Sequence, residues 1–262
     1  MRKKSNFIPE RFSGKIVVVT GAESGIGKAT ASRFVQEGAI VYGLGLRLEL
    51  GKSWIFDMQG SLGEANFVLC DVSNSSEVSS SIKEIGERHS RIDVLVNNAG
   101  KFLYGDVTET SETDWDSILS TNLKSMFLTS KFTIPFMKVA GGSIINIASV
   151  HAFATMEKVP AYAASKGAVV ALSRQMAIDF IKDGIRVNSV VVGGVNTDMS
   201  IKHALSTGRT MEDLGFVHDV NILGRAAEPE ELAAGITFLA SEDASFVVGA
   251  PFLIDGGLTA DL

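Results

Sequence analysis

Short runs of β-branched and apolar residues recur along this chain, separated by segments of helical character, and that rhythm narrows the fold more than any other feature. Lys15–Thr20 contains Ile16, Val17, Val18 and Val19 in succession, and comparable runs occur at Ala39–Leu46, Asn66–Cys70, Ile92–Val96, Ser143–Ala148 and Arg186–Val192. A continuous apolar run, rather than an alternating one, fits a strand covered on both faces, which is the condition of strands in a parallel sheet wrapped by helices. The intervening segments carry helix signals. Ile26–Gln36 follows the first strand directly. Asn74–His89 opens on Asn and Ser caps, with Val78, Ile82 and Ile85 on one face. Ser111–Lys131 begins with acidic residues, and Pro135 limits or bends its far end. Pro160 suits the first turn of a helix reaching about Lys182, with Gly184 as its stop, and another helix runs from Glu228 to near Ser241. The expected architecture is one α/β domain, a doubly wound Rossmann-type parallel sheet of about seven strands, spanning residues 12–262. Residues 1–11 are expected to form a flexible tail. Residues 193–227 break the rhythm after a strand's carboxyl end, where a substrate lid would sit; a surface excursion with short helices is the plainer alternative.

Composition removes several classes of function. The 262 residues carry a net charge of −6, which does not favour nucleic acid or an anionic membrane as partner. No apolar run approaches the ~18 residues that span a bilayer, and the basic start is not followed by a secretory core. The single cysteine, Cys70, cannot form an internal disulfide and reads as a small buried hydrophobe at the end of a strand. A cytoplasmic location is therefore expected. The four histidines show no ligand spacing, so no metal is expected.

The turn after the first strand reads Thr20-Gly21-Ala22-Glu23-Ser24-Gly25-Ile26-Gly27. Glycines in a first strand-to-helix turn allow a sharp bend and close approach of a pyrophosphate to the helix N-terminus. This spacing resembles the short-chain dehydrogenase/reductase family, and the resemblance extends from about Phe12 to Gly257. In that family an acid after the third strand contacts adenine, matched by Asp71 with Val72 beside it. A motif after the fourth strand, matched by Asn97-Asn98-Ala99-Gly100, lines the cofactor ribose. After the sixth strand, Gly193, Val195 and Thr197 match the stretch that holds the nicotinamide carboxamide, although Val192 replaces the usual proline. Each residue also has a plainer role as a turn former or helix cap. The cofactor implied is NADP or NAD. An NAD enzyme normally ends its second strand on a carboxylate, and Gly45 stands at that position. Arg47 could meet a 2′-phosphate or be a solvated charge, while Glu23 beside Ser24 would repel a phosphate if it pointed inward. The balance leans to NADP.

The chemical end of the resemblance is Ser149, Tyr162 and Lys166, with Asn122 in the preceding long helix. Tyr162 and Lys166 lie about one helical turn apart, so phenol and ammonium project from one face. The resemblance implies that Tyr162 exchanges a proton with the substrate oxygen, that Ser149 hydrogen-bonds the same oxygen, and that Lys166 lowers the phenol pKa and binds the nicotinamide ribose. Asn122 would hold a water that links Lys166 to solvent. The implied activity is hydride transfer between NAD(P) and a carbonyl or secondary alcohol. His151, Phe153, Met156 and Met199 are expected to line the substrate pocket, together with Phe102, Leu103 and Ile201, and His151 reads as a wall residue rather than a general acid. Val159 stands where hydroxybutyrate dehydrogenases place a carboxylate-binding lysine, so the expected substrate needs no carboxylate. Two alternatives remain: a 3-oxoacyl-[acyl-carrier-protein] reductase, which the acidic net charge disfavours, and a non-catalytic dinucleotide sensor. The tail Val248–Gly257 resembles the segment through which relatives form tetramers, which implies a homo-oligomer; a simple edge strand is the plainer reading.

Overall fold

The computed structural model describes residues 7–206 and 221–260. Seven parallel strands form one sheet in the order β3-β2-β1-β4-β5-β6-β7. They are β1 (Ile16–Thr20), β2 (Ile40–Gly45), β3 (Glu64–Leu69), β4 (Val94–Asn97), β5 (Gly142–Ile147), β6 (Ile185–Val192) and β7 (Pro251–Ile254). The chain builds outward from β1 through β2 to β3, then crosses to β4 on the other side of β1. A crevice opens at the carboxyl ends of β1 and β4, where the order reverses, and ligands of such sheets bind there.

The helices are α1 (Gly25–Gln36), α2 (Leu48–Asp57), α3 (Ser75–His89), α4 (Glu112–Leu119), α5 (Ser125–Met137), α6 (Pro160–Phe180), α7 (Asp198–Ser206) and α8 (Pro229–Ala240). Val17 and Val19 face a layer that includes Phe34 of α1 and Leu232 and Ile236 of α8. Ile16 and Val18 face the opposite layer, with Ile82 and Ile85 of α3, Leu128 of α5 and Met176 of α6. All five residues of β1 are buried, because both faces are covered. Each of its buried Ile and Val side chains contributes roughly 1.5–3 kcal/mol by leaving water.

Three local features depart from the sequence reading. The long helix expected over Ser111–Lys131 is interrupted by a π-helical turn at Ser120–Lys124, and α5 then continues past Pro135 to Met137. Helix α2 was not expected: Leu48 and Leu50 are exposed, and its inward face is Gly51, Trp54 and Ile55 with Met58 after it. It is held by the fully buried Trp54, whose indole donates to Ser32 Oγ at 3.0 Å. Residues 8–11 are tied down: Arg11 Nε donates to Glu37 Oε2 at 2.6 Å and Ile8 N to Glu37 Oε1 at 3.2 Å. Residues 1–6 of the expected tail lie outside the described residues.

Within the span expected to act as a lid, Val195 forms a parallel bridge with Ala227, and α7 occupies Asp198–Ser206. Residues 207–220 lie outside the described residues. Among the described residues no helix is long and apolar enough to cross a membrane. Cys70 is buried, and burial pushes its thiol pKa up, as befits a packing residue.

Candidate active site

The glycine turn leaves the end of β1 as bare backbone. Gly21 has φ +63, and a Cβ on Gly27 would lie 2.1 Å from Gly21 O, so neither position accepts a side chain without movement. Asn98 holds the turn in place: its amide nitrogen donates to Thr20 O at 3.0 Å and Gly21 O at 3.3 Å. The backbone N–H groups of Asn98 and Ala99 both donate to Thr20 Oγ1 at 2.9 Å. Asn97 is buried and joins β4 to its neighbours, donating to Asn146 Oδ1 at 2.8 Å and accepting from Thr129 Oγ1 at 2.6 Å. Ser24 is the N-cap of α1, yet its side chain makes no capping bond. Its hydroxyl accepts from Arg47 Nη2 at 2.5 Å instead. The first-turn amides of α1 are therefore open toward the crevice mouth, and amides so placed suit a pyrophosphate. Thr197 reaches the same turn, its methyl 3.1 Å from where a Cβ of Gly25 would stand. Ile26 packs against the core, Val195 is buried, and Gly193 is pressed against the backbone of Asp255.

Asp71 stands after β3 beside the buried Val72, and its Oδ1 accepts from Ser73 N at 2.9 Å and Ser73 Oγ at 2.7 Å. One oxygen thus shapes the turn. At the end of β2, Arg47 Nε lies 3.4 Å from Glu23 Oε1, and Glu23 is 8% exposed. The guanidinium expected to meet a phosphate is already bonded to Glu23 and Ser24.

Across the crevice, β5 and α6 position the reactive groups. Ser149 follows β5 as the buried N-cap of a 3₁₀ turn at Val150–Ala152. Its hydroxyl stands beside the Tyr162 phenol and lowers the phenol pKa. Phe102 packs on the Tyr162 ring with centroids 4.7 Å apart, and His151 meets it edge-on at 5.5 Å. Lys166, 4% exposed, donates from Nζ to Ile147 O at 2.8 Å and lies 5.6 Å from the centroid of the Tyr162 ring. Burial lowers its pKa to about 8. The phenol moves the opposite way from expectation. Burial raises the Tyr162 pKa, and Ser149 beside the phenol opposes it only in part.

The π-helical turn explains the place of Asn122. Its side chain is fully buried, accepts from Lys101 N at 2.8 Å, and donates to Lys101 O at 2.9 Å and Ser165 Oγ at 3.2 Å. Ser165 Oγ in turn donates to Tyr162 O at 2.7 Å. A Cβ on Gly100 would stand 3.4 Å from Asn122 Oδ1 and 3.8 Å from Lys166 Nζ, so these three residues meet at one point. π-turns recur where a helix must present a functional group. Lys101 and Ser165 escaped the sequence reading, since a backbone clamp on Asn122 leaves no mark in spacing. Lys101 Nζ also donates to Ser117 Oγ. Phe153, Met156 and Met199, expected to line the pocket, are exposed at 57%, 44% and 42%. His151 is closer in, its Nδ1 2.9 Å from Thr155 Oγ1.

The glycine turn, the open amides and the Ser149–Tyr162–Lys166 cluster thus line one crevice at the switch point of the sheet. The family model described as enoyl-(acyl carrier protein) reductase matches residues 21–259. The chain belongs to the short-chain dehydrogenase/reductase family. It is similar to meso-2,3-butanediol dehydrogenase of Serratia marcescens, 42% identical over 252 residues that cover 95% of this chain and 96% of that one. Cyclopentanol dehydrogenase of Comamonas testosteroni is 36% identical over 254 residues, covering 96% and 99%. The structure of L-sorbose reductase from Gluconobacter frateurii, solved with NADPH and L-sorbose, superposes with a TM-score of 0.91 at 30% identity, covering 97% of this chain and all of that one. This short-chain dehydrogenase/reductase is an NAD(P)-dependent oxidoreductase acting on a CH–OH/C=O pair.

Proposed function

We propose that the enzyme interconverts a small uncharged secondary alcohol and its ketone, with Tyr162 exchanging the proton at the substrate oxygen. The observation that carries this reading is the buried Ser149 beside the Tyr162 phenol, with the buried Lys166 Nζ 5.6 Å from its ring. The dinucleotide supplies or accepts the hydride. Tyr162 gives its proton to the carbonyl oxygen in reduction and takes it back in oxidation. Ser149 donates a hydrogen bond to the same oxygen as negative charge gathers on it. Lys166 lies behind the phenol and holds the nicotinamide ribose. Asn122, fixed by Lys101 and Ser165, keeps Lys166 in reach of a proton path to solvent. Gly21, Gly25, Gly27 and the α1 amides seat the pyrophosphate, Asp71 and Val72 flank the adenine, Asn98 to Gly100 line the ribose, and Thr197 meets the carboxamide.

The substrate class follows from the wall around Tyr162. Phe102 and His151 flank its ring, the exposed Phe153, Met156 and Met199 are the apolar residues expected to complete it, and Val159 is buried without a charge to offer a carboxylate. The named substrates of the two dehydrogenases above, a butanediol and cyclopentanol, belong to that class. The test is a panel of meso-2,3-butanediol, cyclopentanol, their ketones, a hydroxy acid and a 3-oxoacyl thioester with and without carrier protein. Turnover of the uncharged pairs without carrier is the expected result. Turnover only of the carrier-linked thioester would replace this reading with a 3-oxoacyl-[acyl-carrier-protein] reductase.

Which dinucleotide serves turns on Arg47 and Glu23. Arg47 alone supports NADP, the preference expected from sequence, and its bond to Glu23 weakens that support. A homotetramer is the proposed assembly: β7 is an edge strand, and Phe246, Val248 and Leu253 near it are exposed. A solution mass four times that of one chain is expected from light scattering, and a monomer mass would remove this assembly.

A further inference from the structure

The end of β2 has an unusual composition. In sheets of this order the adenosine ribose lies at that end, and a carboxylate there accepts its two hydroxyls. Gly45 occupies the position and has no side chain, but the space beside it is filled. A Cβ built on Gly45 would lie 2.1 Å from Glu23 Oε2 and 2.6 Å from Glu23 Cδ. The carboxylate of Glu23, carried on the glycine turn after β1, therefore stands where a side chain from residue 45 would begin.

The two oxygens of that carboxylate are used unequally. Oε1 accepts from Leu46 N at 3.3 Å and from Arg47 Nε at 3.4 Å. Oε2 is buried and has no hydrogen-bond partner among the described residues. A buried carboxylate oxygen without a donor is unfavourable, and the structure gives it none. Terminal glutamate torsions are broad, so a small rotation can turn either oxygen to a donor arriving at the crevice. A ribose diol brings two O–H donors. A 2′-phosphate brings only acceptors and negative charge, and it would have to take Arg47 from Glu23 and Ser24 while lying against a carboxylate.

We propose that Glu23 is the cofactor-selecting residue: its carboxylate accepts the adenosine ribose hydroxyls in place of an acid on β2, and the enzyme prefers NAD to NADP. The assignment rests on the dinucleotide reading above and reverses the NADP preference drawn from Gly45 and Arg47. Arg47 becomes a positioning residue that aims Glu23, with Ser24 as its second anchor.

The test is equilibrium binding to the purified protein, read by fluorescence or calorimetry, of NADH, NADPH and two fragments without nicotinamide, 5′-AMP and 2′,5′-ADP. NADH is expected to bind about tenfold or more tightly than NADPH, the scale of one charge-assisted hydrogen bond. The fragments should keep the same order. Glu23→Gln should abolish most of the ratio by weakening NADH and strengthening NADPH, since it frees Arg47. The double variant Glu23→Ala/Gly45→Asp should restore it, because the carboxylate then comes from the strand. NADPH binding as tightly as NADH in the native protein would overturn the proposal. So would an unchanged ratio in Glu23→Gln with both nucleotides still bound, which would leave the dinucleotide reading intact. Failure of the native protein to bind any of the four would remove that reading and this proposal together.

Discussion

Turnover of the Tyr162→Phe variant is expected to fall by about 10²–10⁴-fold, the range a positioned general acid–base contributes. Dinucleotide affinity should stay close to that of the native enzyme. Phenylalanine preserves the ring that packs against Phe102 at 4.7 Å and His151 at 5.5 Å, so the pocket wall survives. What disappears is the hydroxyl with its transferable proton. Loss of one hydroxyl's hydrogen bonding costs roughly 0.5–1.5 kcal/mol, too little to unfold a domain of this size. The pH dependence of the native enzyme has a definite sign. Oxidation needs the phenolate, so its rate rises with pH; reduction needs the phenol, so its rate falls once the phenol titrates. Measurement of kcat in both directions, where chemistry limits the rate, checks both statements. A Phe variant with native turnover would remove Tyr162 from the mechanism.

Lys166→Met is expected to be nearly inactive and yet more stable than the native protein near neutral pH. Lys166 is 4% exposed, and burial lowers its pKa from 10.5 to about 8. A displacement of that size corresponds to roughly 3 kcal/mol of unfavourable burial of the charged form. Methionine matches the stem and carries no charge. The lost bond to Ile147 O offsets part of the gain, which leaves about 1–3 kcal/mol at pH 7. The unfolded lysine keeps its proton to about pH 10.5, and the folded one releases it near 8. Between those values the unfolded state binds more protons, so native stability rises with pH. The stability gap between variant and native protein should therefore be widest below pH 8 and shrink above it. Urea midpoints at pH 7 and pH 9.5 measure the gap. A variant less stable than the native protein at pH 7 would show that the ammonium is favourably held. Alongside the lost turnover, weaker dinucleotide binding is expected from Lys166→Met.

The element order was legible in the chain because strands buried on both faces must be apolar throughout. The runs around Ile16–Thr20, Ser143–Ile147 and Arg186–Val192 could hardly be read otherwise. The Tyr162/Lys166 pair was legible because a helix converts a spacing of four into a shared face. Helix α2 was hard to read: its inward positions Gly51, Trp54, Ile55 and Met58 keep helical spacing, but one of them is a glycine and the exposed Leu48, Leu50 and Phe56 blur the stripe. The π-helical turn at Ser120–Lys124 left no sign, since its effect is to place Asn122 between Lys101 and Ser165, residues distant in sequence.

The sequence by itself thus determined the layered sheet, the bare glycine turn and the shared helix face of Tyr162 and Lys166. These follow from local rules: apolar runs, glycine backbone freedom and helical period. Only the tertiary structure decided how charged groups use one another. It placed Glu23 beside Gly45, bonded Arg47 to Glu23 and Ser24, and buried Lys166 deeply enough to move its pKa to about 8. It also reversed the expected direction for Tyr162, whose pKa rises. The reason is physical: the energy of a charge depends on its nearest neighbours and on how much water it keeps, and both are set by segments that meet only when the chain has folded.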